Sequence, residues 1–399
     1  MKFSTVAVVV LAVLLGGCNW FRGIGKKDNV EPPTPLAEQF APSLSIQRVW
    51  NGNVGDGPGQ SGVPMVPAVA DGRLYAADID GNLSAYDAAT GKRLWNVHSG
   101  KRSGMYWRRT DTSVRWSGGP SVAGDLVVVG GLDGQVAAYS AADGAERWVV
   151  DVSSEVIAPP AISGDLVVVR SNDGRLYGLS AADGSRRWVF DQGVPPLSLR
   201  GNSTPRIAGS MVYSGFDNGK IVAVNLADGT QSWVQTVGLG EGRTEVDRLA
   251  DVDGELVVDG NELFAAGYRG IVTALYADSG RTAWQRDLSS YAGVAVTNNV
   301  VAAVDADGNV WAFDRQSGAN LWKQDQLKYR WLSAPAAHGG AIVVGDLEGW
   351  VHWLSADDGK LIARERLGKK PIVGKPVVDG DTVYVEDSEG RLGAWRTAQ

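Results

Sequence analysis

Cysteine is almost absent: the 399-residue chain holds one, Cys18, so no internal disulfide can form. Histidine is nearly as scarce. Its three copies, His98, His338 and His352, are too few to build a His/Cys zinc site. An excess of positive charge is also missing. The formal net charge of -7 removes any general electrostatic drive toward nucleic acid or anionic lipid. Long apolar runs are lacking too, the most extended being Val6 to Leu15, well short of the roughly 20 residues a helix needs to cross a bilayer. Glycine and tryptophan, by contrast, are plentiful, at 52 and 15 residues. That pairing points to many tight turns anchored by large buried side chains, not to a helical bundle.

The first 17 residues read as a signal peptide: Lys2 gives a positive start, the apolar run follows, and Gly16 and Gly17 precede Cys18. The segment LLGGC resembles the lipobox of bacterial lipoproteins, which implies cleavage before Cys18 and acylation of that cysteine. The sole Cys stands where a lipobox requires one. Several acyl chains would hold the protein to a membrane without spanning it. Residues 18–43 contain Pro32, Pro33, Pro35 and Pro42 and no sustained periodicity, and are expected to form a flexible tether. In the usual sorting rule for lipoproteins an Asp after the Cys favours inner-membrane retention. Asn19 stands there instead, so the expected location is the periplasmic face of the outer membrane.

The remainder, residues 44–399, is repetitive. A turn glycine recurs at Gly81, Gly134, Gly174, Gly219, Gly270, Gly308, Gly349 and Gly390. In the first seven units a second glycine follows ten residues later, and four residues beyond it lies Trp95, Trp148, Trp188, Trp233, Trp284 or Trp322, with Ala363 in unit seven. Fourteen residues upstream of the turn glycine sits a proline, except at Leu256 and Val294. Each unit reads as four strands separated by Gly and Asp turns. Units of about 40 residues with four strands match a β-propeller blade. A proline cannot donate to a ladder, so its place on the first strand suits an edge lining a central channel. Unit eight ends without a fourth strand, whereas Ser43 to Trp50 is a strand-like stretch ending in the missing tryptophan. The expected fold is therefore all-β: an eight-bladed β-propeller of four-stranded blades in one domain, closed by an N-terminal strand. The tryptophans are expected to pack between blades, each burying on the order of 200 Å².

Segments such as YDAATGKRLW (Tyr86 to Trp95) and FDRQSGANLW (Phe313 to Trp322) resemble the PQQ-type repeat of quinoprotein dehydrogenases. Those enzymes hold their quinone against a disulfide of adjacent cysteines beside a carboxylate-rich calcium site. Here no second Cys exists, and Asp87, Asp143 and Asp183 occupy turn positions where Asx hydrogen bonding accounts for them. No cofactor, metal or catalytic residue is expected.

Lipobox, proline-rich tether and eight PQQ-type repeats together resemble the BamB family, lipoprotein accessory factors of the outer-membrane β-barrel assembly (BAM) complex. LSLRG at Leu197 to Gly201 and TEVDRLADVD at Thr244 to Asp253 are similar to family segments associated with binding the periplasmic POTRA domains of BamA. The resemblance implies a partner-binding role for Leu197, Leu199 and Arg200 in the first segment and for Asp251 and Asp253 in the second. It also implies a non-enzymatic scaffold that assists folding and insertion of β-barrel proteins, with unfolded outer-membrane proteins as a further partner. Both segments lie in links between blades, and long links on a rigid scaffold are where binding residues concentrate. The bland readings stand beside this one: Leu197 and Leu199 as the start of a buried strand, Arg200 as a solvated charge, and the aspartates as turn formers before Gly254. A third long link, residues 96–119, carries Tyr106, Trp107, Arg108, Arg109, Arg115 and Trp116, a mixture common at interfaces. Two other functions remain open on sequence alone, a quinoprotein-like small-molecule enzyme or sensor and a binder of envelope glycan.

Overall fold

In the computed structural model the chain is built from eight four-stranded antiparallel sheets and one two-stranded ribbon, with no helix among the described residues. The structure describes residues 31–398 apart from 39, 60, 101, 104–109, 112–113, 196, 198–202, 239–250 and 269. Thr34 onward packs as one unit, and residues 1–33 separate as another. Blades one to seven each take their four strands in sequence, the first from Ala68–Ala70 to Arg93–His98 and the seventh from Ala336–His338 to Leu361–Arg366. Blade eight uses Val377–Asp379, Thr382–Glu386 and Arg391–Thr397, and its fourth strand is Ile46–Asn53 from the other end of the chain. The expected eight-bladed propeller with N-terminal closure is the observed one.

Burial follows strand position. Most first strands are half-buried, as expected beside an open bore, and the second and third are buried on both faces. The fourth strands of blades two to five show one pattern, exposed at either end with a buried tryptophan third. Proline supplies the inner edge: Pro67, Pro120, Pro160, Pro205 and Pro376 all face the central cavity. An unpaired edge is where a residue without an N–H does no harm.

The repeating Trp and Gly form one joint between neighbouring blades. Each Trp Nε1 donates to a carbonyl of the next blade, at 2.8 Å from Trp50 to Ala88, 2.9 Å from Trp188 to Leu226 and 2.8 Å from Trp322 to Ala356. The indole face then covers the second glycine of that blade. A Cβ added at Gly229 would lie 2.6 Å from Trp188 Cε3, and one at Gly280 would lie 2.6 Å from Trp233 Cε3. These glycines also adopt left-handed backbone, with φ of +71° and +70°. Both demands exclude a side chain.

The tryptophan needs space on its own sheet as well. Across the ladder it faces a small residue: Ala85 opposite Trp95, Ala138 opposite Trp148, Gly178 opposite Trp188, Ala394 opposite Trp50. Blade seven reverses the pair, with Trp353 on the third strand opposite Ala363 on the fourth. Volume is conserved although the side that carries it is exchanged. Blade eight has no second glycine, because its third strand runs into Thr397 where other blades would make the next turn. At this junction Ala363, Trp353, Trp395, Leu44 and Ile46 fill the space in one cluster.

The stretch expected to be a tether up to residue 43 is docked from Thr34 on. Its Thr34 N–H donates to Lys328 O at 3.0 Å, Arg330 Nη1 donates to Thr34 O at 2.9 Å, and Arg364 Nη2 donates to Ala37 O at 3.1 Å. Leu36 packs against the hydrophobic cluster shared by blades six and seven. Proline-rich composition signals the absence of regular hydrogen bonding, and main-chain carbonyls and arginine side chains of the ring supply the partners instead. Cys18 and the signal segment lie outside the described residues.

Candidate functional site

The links between blades emerge on the same face as the turns joining second and third strands. Gln192 N donates to Gly174 O at 3.1 Å, and Val237 N donates to Gly219 O at 2.8 Å, each fixing the start of a link to the turn of its own blade. These links lead toward Leu197 and toward Asp251, while 198–201 and 244–250 lie outside the described residues.

Leu197 is 42% exposed, a large apolar side chain held in solvent. Leu199 and Arg200 lie outside the described residues. The aspartates behave differently from rim residues. Asp251 is fully buried, and its carbonyl accepts from Tyr268 N at 2.8 Å. Val252 donates through its N–H to Phe216 O at 3.2 Å and packs so tightly that a Cβ on Gly215 would clash with it. Asp253 is half-buried and lines the central cavity. This segment is therefore folded back into the ring. In this conformation the Asp251 side chain presents no surface, because the link turns inward to satisfy its backbone groups against blades four and five.

Beneath it lies a charged cluster that spacing alone did not reveal. Arg170, from the second strand of blade three, is fully buried, and its guanidinium stacks on Phe216 at 4.3 Å and reaches Asp217 Oδ1 at 3.3 Å. Burial pushes Arg170 down, while Asp217, Asp253 and Asp173 favour its charged form. Burial, followed by the neighbouring Asp217 and Asp251, pushes the Asp253 carboxyl well above the usual carboxylate range. Arg170 thus pairs directly with Asp217 and acts on Asp253 through its charge alone.

The central cavity holds the second cluster. It has a volume of about 1110 Å³ and is lined by the first strands and the links preceding them. Arg206 Nη2 forms an ion pair with Glu255 Oε1, and Lys375 Nζ lies 2.7 Å from Glu255 Oε2. Burial and the nearby Arg206 push the Lys375 ammonium down to about 7. A signal for this cluster was present in the repeat. Among residues flanking the inner-strand proline or its equivalent, only Arg206, Glu255 and Lys375 are charged.

Of the 96–119 link, Trp116 is fully buried on the first strand of blade two, and Arg115 pairs with Asp133 at 2.8 Å in solvent. The backbone of Arg102–Ser103 pairs with Thr110–Asp111. Tyr106, Trp107, Arg108 and Arg109 lie outside the described residues.

The sequence profile of the family described as outer membrane protein assembly factor BamB matches residues 47–105, 100–324 and 318–398. The chain belongs to the BamB family. Outer membrane protein assembly factor BamB of Xanthomonas campestris pv. campestris is 42% identical over all of this chain and 98% of that one. The protein of that name from Pseudomonas aeruginosa is 38% identical over 99% of each chain, and that from Escherichia coli 35% identical over 95% of each. Among solved structures, BamB from Moraxella catarrhalis superposes with a TM-score of 0.79 at 30% identity, covering 88% of this chain and all of that one. Quinohemoprotein alcohol dehydrogenase from Comamonas testosteroni reaches a TM-score of 0.68 at 14% identity over 89% of this chain and 77% of that one. That second likeness concerns the fold alone. The BamB relatives are named as assembly factors, not as enzymes.

Proposed function

We propose that this chain is a non-enzymatic accessory factor of outer-membrane protein assembly. It is anchored by lipid on Cys18 to the periplasmic face of the outer membrane, and it docks on the POTRA domains of BamA through the link face of the propeller. Full-length similarity to BamB relatives supports the assembly role. The observation that carries the docking site is the exposed Leu197 on a link that neighbours the DVD link in chain order around the ring. Arginine is enriched among interface anchors, and an apolar side chain held in solvent gains free energy when a partner covers it. Leu197, Leu199 and Arg200 make the contact in this reading. Asp251 and Asp253 set the shape of the adjoining link from inside, held by the Arg170 cluster. Unfolded outer-membrane proteins are the expected cargo of the assembly.

The test is co-purification of the full chain with BamA POTRA domains. Leu197→Glu and Arg200→Glu should each reduce recovery about tenfold or more, as expected for interface anchors, with circular dichroism unchanged. Normal recovery with both would reject this docking site. Mass spectrometry of the N-terminal peptide checks the acylation of Cys18.

A further inference from the structure

We propose that the bore of the propeller binds an amphipathic organic anion, with the charged head between Lys375 and Arg206 and the apolar body against Tyr291 and Trp331. This site is separate from the docking of POTRA domains and does not depend on it.

The wall of the bore is built mainly from proline, valine, isoleucine and alanine side chains of the innermost strands. Among the described residues that line it, the charged ones are Arg206, Asp253, Glu255 and Lys375. Glu255 already serves both cations, one through each carboxylate oxygen. When Lys375 is protonated, two cations on one carboxylate leave a positive charge that these residues do not neutralise. Asp253 does little to cancel it, because burial and its acidic neighbours favour the neutral carboxyl. An uncompensated cation in an apolar wall is unfavourable, and depression of the Lys375 ammonium is the expected response. A bound anion supplies the missing charge.

The shape and lining fit an apolar body on that anion. A volume of about 1110 Å³ is ample for a small organic molecule. Tyr291 and Trp331 line the same cavity while remaining 47% and 65% exposed. Trp331 has a left-handed backbone, φ +48°, which a bulky residue adopts only when its surroundings impose it. Two large, exposed aromatic side chains therefore line the same cavity as the cations. Apolar walls with a few convergent polar groups are the recurring design of small-molecule sites.

Hexyl phosphate is a suitable probe, titrated calorimetrically into the full chain at pH 7.5. Inorganic phosphate is the control without an apolar body, and hexyl glucoside the control without charge. One molecule of hexyl phosphate should bind per chain, at least about tenfold more tightly than either control. Lys375→Met and Arg206→Met should each weaken it roughly ten- to hundredfold, the usual worth of a hydrogen bond to a charged group. Binding should also take up protons as the ammonium is restored, seen as heats that depend on buffer ionisation, and this uptake should vanish in Lys375→Met. Should either variant fold poorly, the proton uptake of the unmodified chain remains a separate readout. Equal affinity for hexyl glucoside, absence of proton uptake, or no binding of hexyl phosphate would each overturn the proposal.

Discussion

Lys375 Nζ lies 2.7 Å from Glu255 Oε2, a contact that ties blade eight to blade five across the bore. With the ammonium at about 7, against roughly 10.4 for an unfolded lysine, the folded state binds fewer protons than the unfolded state between those values. Stability from this group therefore rises as pH increases from about 7 to about 10.4. Dimethylation of the lysines and carbon NMR should show one resonance titrating near 7, lost in Lys375→Arg. Glu255→Gln removes the favourable carboxylate and should move that midpoint lower. A midpoint near the ordinary lysine value would contradict the burial described for this side chain.

Glu386 provides the opposite slope. It is buried on the second strand of blade eight, and burial, with Asp387 and Asp78 nearby, pushes its carboxyl well above the usual range. The folded state then holds a proton that the unfolded chain releases near pH 4.3. Stability is full below that pH and declines as pH rises through the folded value. Glu386→Gln should have little effect at pH 4 and raise the melting temperature at pH 8 by a few degrees, since about 1 kcal/mol corresponds to roughly 2–4 °C in a domain of this size. Parallel melting profiles for the two proteins across pH 4 to 8 would refute it.

Trp188 and Gly229 should behave as one unit. Trp188→Ala empties a filled joint and is expected to cost about 3–5 kcal/mol. Gly229→Ala drives a Cβ to 2.6 Å from the indole and places alanine in left-handed backbone, which alone costs about 1–2 kcal/mol. In the double variant the clash disappears, so the combined loss should fall short of the sum by about 1 kcal/mol or more. Urea unfolding of the four proteins measures this; strict additivity would mean that the joint is not the source of either loss.

Arg364 should govern release of the docked N-terminal stretch. It donates to Ala37 O and stacks on Phe40 at 5.5 Å and Trp350 at 4.9 Å. Arg364→Ala removes a hydrogen bond and a cation–π contact, each worth about 1 kcal/mol, so cleavage after Glu38 by a glutamate-specific protease should accelerate about tenfold or more. An unchanged cleavage rate would show that the stretch is held by its apolar and backbone contacts alone.

Most of the fold was legible because the propeller repeats one local solution. A Gly that must be left-handed, a Trp that must reach the next blade and a Pro that must sit on an inner edge leave marks at fixed spacing. Even the departure at Ala363 is readable once Trp353 is noticed on the adjacent strand. The candidate site was less legible. Nothing local distinguishes the buried Asp251 from a turn former, since its burial depends on Phe216 and Tyr268 in blades four and five. Docking of Thr34 was illegible for a similar reason, because it is decided by Lys328 and Arg330, nearly 300 residues away. The charges of the bore were visible in the aligned repeats, but their convergence on Glu255 follows only from ring geometry.

The fourth strand of the last blade comes from Ile46–Asn53, and it pairs with Arg391–Thr397 at the far end. A chain synthesised from its N-terminus thus has to keep this early segment unsatisfied until almost every residue has been made. Folding of the whole circle is tied to completion of translation, and a prematurely terminated product would carry two raw strand edges open to aggregation.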